Sequence, residues 1–231
     1  MPLIYDFMPV SLADYPGTVA CTVFLPGCNF RCPYCHNGPL VTQSPKGNVP
    51  ESVLFEYLER RKSLIDGVCI TGGEPTLWSD LRDFIARLKE KGLKVKLDTN
   101  GSRPDVLKEL LDGGLVDYIA VDIKAPQKDY SLFTSSEEHV AGVIKSVELI
   151  KNSSVDYEFR TTVHEKILSI EDLEAIGRWL SGAKRYVLQG YRFSEGVLDV
   201  EFCGEKPCDL LFLEKAKENL QAHFGEVIIR N

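Results

Sequence analysis

Short unbroken apolar runs alternate with amphipathic stripes along almost the whole chain. Runs at 19–25, 67–71, 94–98, 118–123, 156–163, 185–189 and 227–230 read as strands. Most are continuously apolar over about five residues, as expected where both faces of a sheet are covered. Between them apolar residues recur at helical spacing: Val53, Leu54, Tyr57 and Leu58; Leu81, Phe84, Ile85 and Leu88; Val106, Leu107, Leu110 and Leu111; Val140, Val143, Ile144, Val147 and Ile150; Leu173, Ile176 and Leu180; Leu213, Ala216 and Leu220. These stripes read as core. Pro104 sits where a helix start tolerates a missing N–H, and Ser169 with Asp172 predicts a capping box. Strand–helix alternation implies parallel strands joined by right-handed crossovers. About six such units and a final strand are too few for the closed eight-fold barrel. The expected fold is therefore α/β: an open, partial (β/α)6-type barrel of parallel strands with a C-terminal helix–strand extension. One domain is expected over 1–231, its core at about 15–190 and the extension at about 191–231.

Composition narrows the function. The 231 residues carry 27 Lys and Arg against 34 Asp and Glu, a formal charge of −7. An acidic chain is a poor match for nucleic-acid phosphates. No apolar run approaches the roughly 20 residues of a membrane span, and Met1 to Val10 does not read as a secretory signal. A cytoplasmic protein with no nucleic-acid or membrane partner is expected. Its seven Cys are then reduced, and clustered thiols point to metal or catalysis before disulfides.

In open α/β folds reactive groups gather at the C-terminal ends of strands. The unusual residues of this chain fall there: Gly72-Gly73-Glu74 after the second run, Asp98, Thr99 and Asn100 at the end of the third, Asp122 and Lys124 at the end of the fourth, Gln189 at the end of the sixth. The loop after the first run is the most informative. Gly27-Cys28-Asn29-Phe30-Arg31-Cys32-Pro33-Tyr34-Cys35-His36-Asn37 spaces three thiols as C-x3-C-x2-C. A structural zinc site wants four ligands, and His36, adjacent to Cys35, is poorly placed to close that tetrahedron. Ordinary 4Fe–4S clusters take four thiolates; three would leave one iron free for a substrate or cosubstrate. Cys21 and Cys69, inside strands, read as inert core, and Cys203 and Cys208 in the tail as unligated. His139, His164 and His223 read as surface or structural residues.

The Cys28-x3-Cys32-x2-Cys35 spacing, with aromatic Tyr34 before the last Cys, resembles the signature of the radical S-adenosylmethionine (radical SAM) superfamily. Gly72-Gly73-Glu74-Pro75 resembles that superfamily's GGE motif. The strings Asp14-Tyr15-Pro16-Gly17, Gly27-Cys28-Asn29 and Tyr34-Cys35-His36-Asn37 resemble the glycyl radical enzyme activases, most closely the longer type of anaerobic ribonucleoside-triphosphate reductase activating proteins. The likeness runs from about residue 5 to 190. Unlike many activases of other glycyl radical enzymes, the chain has no Cys between Asn37 and Pro50, so no second cluster domain is expected.

The resemblance implies a 4Fe–4S cluster on Cys28, Cys32 and Cys35, with SAM on the open iron. It implies SAM contacts from Tyr34 and His36 to adenine, from Gly72, Gly73 and Glu74 to the methionine ammonium, from Asp122 and Lys124 to ribose or carboxylate, and from Arg160 and Gln189. In the related formate-lyase activases an Asp-Thr pair matching Asp98 and Thr99 holds a monovalent cation. The implied activity is one-electron cleavage of SAM to a 5′-deoxyadenosyl radical that takes hydrogen from a glycine of a partner. That partner is expected to be an anaerobic ribonucleoside-triphosphate reductase, with flavodoxin or ferredoxin as electron donor. The alternatives are an activase of another glycyl radical enzyme, such as formate acetyltransferase, a radical SAM enzyme acting on a small heterocycle, and a non-enzymatic zinc module.

Overall fold

The computed structural model describes residues 3–42 and 48–230. Eight strands hydrogen-bond in strict chain order: β1 (Asp6–Ser11), β2 (Ala20–Leu25), β3 (Gly67–Gly72), β4 (Lys94–Thr99), β5 (Tyr118–Asp122), β6 (Asp156–Val163), β7 (Arg185–Gly190) and β8 (Glu226–Arg230). Neighbours from β2 to β8 are parallel, and β1 runs antiparallel to β2. The sheet has two edges, β1 and β8, so the barrel is open, as expected. The crossovers carry α1 (Gly38–Thr42) and α2 (Glu51–Arg60), then α3 (Leu81–Glu90), α4 (Pro104–Asp112), α5 (Glu137–Lys151), α6 (Ile170–Leu180), and α7 (Val200–Cys203) with α8 (Leu210–Leu220) before β8.

The helical stripes bury as their period requires. Leu81, Phe84, Ile85 and Leu88 of α3 are all buried, as are Leu173, Ile176 and Leu180 of α6 and Leu213, Ala216 and Leu220 of α8. Full burial of a Leu or Ile side chain stabilises by about 1.5–3 kcal/mol. In α2 only Leu54 and Leu58 are buried, and Val53 faces solvent. Ser169 and Asp172 close the predicted capping box at the start of α6.

One strand departs from the sequence reading. β1 lies outside the expected strands because Pro9 and its mostly exposed residues hide the strand signal. β8, the strand expected in the C-terminal extension, pairs with β7 and brings Arg230 into the sheet. The central strands are also less uniformly apolar than their composition suggests. Val95 and Leu97 of β4 alternate with Lys96 and Asp98, and Tyr157 and Phe159 of β6 alternate with Glu158 and Arg160. One face packs on helices; the other carries buried charge.

Candidate active site

A cavity of about 420 Å³ opens at the C-terminal ends of the strands. Every residue given a cluster or SAM role from the sequence lines it: Cys28, Cys32, Tyr34, Cys35, His36, Gly72, Gly73, Glu74, Asp98, Thr99, Asp122, Lys124, Arg160 and Gln189. Residues 22–40 apart in sequence meet because consecutive parallel strands end at one rim.

The cysteine loop is held from two sides. Phe30 and Tyr34 pack on Tyr130 and Phe133, with ring centroids 6.3 Å apart for Phe30–Tyr130 and 5.9 Å for Tyr34–Phe133. The backbone N–H of Arg31 donates to the Phe133 carbonyl at 2.8 Å. On the other side the segment after β7 straps the loop: the N–H groups of Leu198 and Asp199 donate to the carbonyls of Cys35 and Pro33, each at 3.0 Å, and Gly38 N–H donates to Gly196 O at 3.0 Å. His36 Nε2 donates to the Arg192 carbonyl at 2.6 Å. The Tyr34 hydroxyl is buried without a hydrogen-bond partner, an orphaned polar atom beside the cavity.

Burial pushes the Cys28 thiol up to about 12 and the Cys32 thiol up to about 11, and it also raises Cys35. Such thiols stay protonated at neutral pH unless a metal displaces the proton. Among the described residues no three Cys, His, Asp or Glu side chains converge on a point as one ion would need. The three thiols border a volume instead. No other described Cys lines this cavity. Cys203 and Cys208 line a separate one of about 190 Å³ with His164, whose ring nitrogens are taken by Cys203 O and Lys166 N–H.

The glycines stand where the chain passes close to itself. Gly72 has φ +114°, and a Cβ on Gly73 would collide with the Gly27 carbonyl. The close approach is therefore to the chain's own cysteine loop, where Glu74 N–H donates to Gly27 O at 2.7 Å. Glu74 is 1% exposed. Its Oε1 accepts from the Thr76 N–H (3.0 Å) and the Thr99 hydroxyl (2.7 Å), and its Oε2 from the Asn100 N–H (2.6 Å). Burial pushes its carboxyl above the usual range despite these donors. This carboxylate ties the strand ends together.

Buried charge forms the floor. Arg160 donates to Asp122 Oδ1 through Nε at 2.8 Å and to Asp98 Oδ2 through Nη1 at 3.0 Å. Lys124 Nζ lies 3.2 Å from Asp122 Oδ2, and Lys96 pairs with Asp98. Burial alone would raise both aspartates, but Arg160, with Lys96 for one and Lys124 for the other, outweighs it and holds both below the usual carboxylate range. Asp98 thus pairs with two cations, and the Thr99 hydroxyl donates to Glu74 and accepts from the Gly101 N–H at 3.1 Å. Arg160, Lys124, Asp98 and Asp122 line the cavity, and Lys96 backs Asp98 from outside the lining.

Several cavity residues carried no site role in the sequence expectations. Asn37 donates to Gly72 O at 2.8 Å, Asn100 reaches the Cys28 sulfur, and Thr162, Arg192 and Arg230 line the wall. Asn37 and Asn100 directly follow His36 and Thr99, which was the available signal; Arg230 lay in a tail with none. Asp14-Tyr15-Pro16-Gly17 does not reach the cavity. Asp14 accepts from the Thr22 hydroxyl at 2.6 Å, and Tyr15 packs on Tyr118 at the opening of β5, so this string serves the fold.

Residues 22–180 match the model of the Radical SAM superfamily. A protein of Methanocaldococcus jannaschii provisionally named a glycyl-radical enzyme activating enzyme is 35% identical over 207 residues, covering 87% of this chain and 84% of its own. The pyruvate formate-lyase-activating enzyme of Listeria monocytogenes is 27% identical over 227 residues, covering 83% and 90%. The crystal structure of Streptococcus suis SuiB bound to S-adenosylmethionine shares the fold at TM-score 0.68 and 15% identity; it covers 91% of this chain, which spans about half (52%) of SuiB.

Proposed function

This chain belongs to the radical SAM superfamily and, within it, to the glycyl-radical enzyme activating enzymes, and from that premise we propose that Cys28, Cys32 and Cys35 hold a 4Fe–4S cluster whose remaining iron takes S-adenosylmethionine. The observation that carries this reading is that three cysteines, and among the described residues no fourth, line one cavity. Their spread around a volume suits a cubane with separate irons and does not suit a single zinc ion. The cluster, when bound, supplies one electron to the sulfonium of SAM, which parts into methionine and a 5′-deoxyadenosyl radical.

The chain's own residues bind, orient and shield. Lys124 and Arg160, the cations on the cavity floor, would receive the methionine carboxylate. Glu74 is occupied internally, so the backbone of Gly72 and Gly73 would receive the ammonium. Tyr34, His36 and Gln189 would line the adenosine. The aromatic packing under the cysteine loop keeps water from one side of the cluster.

The substrate is a glycine Cα–H of a partner enzyme, and the open sheet leaves room for a loop of that partner. The motif strings around the cysteines favour an anaerobic ribonucleoside-triphosphate reductase, with a flavodoxin or ferredoxin as one-electron donor. A second reading, a pyruvate formate-lyase as partner, is favoured by the Listeria relative that matches along 83% of the chain. Anaerobically loaded, reduced protein is mixed with SAM and each partner in turn. A glycyl doublet by electron paramagnetic resonance is expected on the reductase, with release of 5′-deoxyadenosine. SAM cleavage with a doublet only on the lyase selects the second reading, and cleavage with none on either overturns both.

A further inference from the structure

Asn100 sits at the exit of β4 with every polar atom of its side chain engaged. Its Nδ2 donates to Asn29 Oδ1 at 2.8 Å and lies 3.9 Å from Cys28 Sγ, within hydrogen-bond range for the larger sulfur atom. Its Oδ1 accepts from the Ser102 N–H at 2.9 Å, and Asn29 in turn donates to the Ser102 hydroxyl at 2.8 Å. The backbone N–H of Asn100 is gripped by the buried Glu74 carboxylate at 2.6 Å. One rotamer is therefore imposed from three directions, and it aims an N–H at the first thiol. The backbone N–H of Phe30 reaches the same sulfur at 3.4 Å. Among the described residues no side chain donates to the sulfur of Cys32 or Cys35, so Cys28 is the thiol whose hydrogen bonding a side chain can tune.

Resting on the three-thiolate reading above, we propose that Asn100, locked by Glu74, Asn29 and Ser102, is a positioning residue that donates a hydrogen bond to the Cys28 thiolate and raises the reduction potential of the cluster. The physical reason is electrostatic. Reduction adds negative charge to the cluster and its sulfurs, and an N–H dipole pointed at a ligating sulfur stabilises the reduced state more than the oxidised one. In a largely buried site that dipole is weakly screened. Glu74 then acts on the cluster through Asn100, two hydrogen bonds away from Cys28.

The test uses the full chain loaded with iron and sulfide, with neither SAM nor partner present, so it is read independently of which glycine is the target. Asn100→Leu keeps the bulk and removes the donor; Asn100→Ser is smaller and suits the turn. Reduced cluster is counted by electron paramagnetic resonance along a redox titration. At a fixed potential the reduced-to-oxidised ratio is expected to fall by about tenfold in Asn100→Leu, equivalent to about 60 mV for a one-electron couple, and in the same direction in Asn100→Ser. Titration curves superimposable on the parent at equal iron content overturn the proposal. Loss of cluster uptake in both variants, with unchanged circular dichroism, also overturns it, because Asn100 would then hold the loop and not set the potential. A protein that takes up no cluster in its parent form fails the reading beneath it instead.

Discussion

Asp98 shows how far a single side chain is committed by its neighbours. Its carboxylate is shared between Lys96 and Arg160, and all three are largely buried. Breaking a buried pair by removing one partner leaves the other charge stranded, at a cost of about 3–5 kcal/mol. Asp98→Asn is expected to lower unfolding stability by about 3 kcal/mol in urea titrations, and an unchanged midpoint would show that the charges are hydrated after all. The pH dependence follows with a definite sign. Asp98 and Asp122 are held below the ordinary aspartate value of about 3.9, so their contribution is fully present above that pH and is lost as pH falls through their folded values. Glu74 is raised by burial, so its contribution runs the other way and is lost as pH rises past its folded value. Below about pH 4 the acid limb of the parent's stability profile should be steeper than that of Asp98→Asn. The residue types at this rim were legible because each stands at a strand end. Their partners on other strands were not: Arg160 meets Asp122 from 38 residues away, across neighbouring strands.

At the scale of elements, the strap between β7 and α7 is the part that composition gave no reason to expect. It contributes backbone donors to Pro33 and Cys35 and shares a hydrogen bond between Gly38 and Gly196. A Cβ on Gly196 would collide with the His36 carbonyl. Gly196→Val should therefore push the strap off the cysteine loop. Loaded protein is expected to lose iron to a chelator several-fold faster than the parent, while the far-ultraviolet circular dichroism stays unchanged. Equal rates of iron loss would show that the strap does not restrain the loop. The aromatic side of the same loop was partly readable, since Tyr34 stands in the cysteine motif. Its packing on Phe133, about a hundred residues on, was not.

For the whole molecule, the open sheet ends on β8, and this strand closes the polar interior through Arg230. The Arg230 guanidinium holds the Glu158 carboxylate with two bonds, at 2.7 and 2.8 Å, and Glu158 is fully buried. Arg230 is itself about one-third exposed, which discounts the pair, so Arg230→Met is expected to cost about 2 kcal/mol. Adding Glu158→Gln should recover most of that loss, and a double variant no better than the single one would show that the stranded charge was not the cause. What the sequence alone determined is local and periodic: the alternation of strands and helices, the rim on which reactive groups gather, and the thiol spacing that no single-ion site explains. These survive without coordinates because periodicity and spacing are properties of the chain itself. What only the tertiary structure decided is which polar groups are already spent on one another. Glu74, Asp98, Asp122 and Asn100 find partners 25 to 72 residues away in the chain, and such partners are chosen by sheet register and burial, which no local pattern encodes.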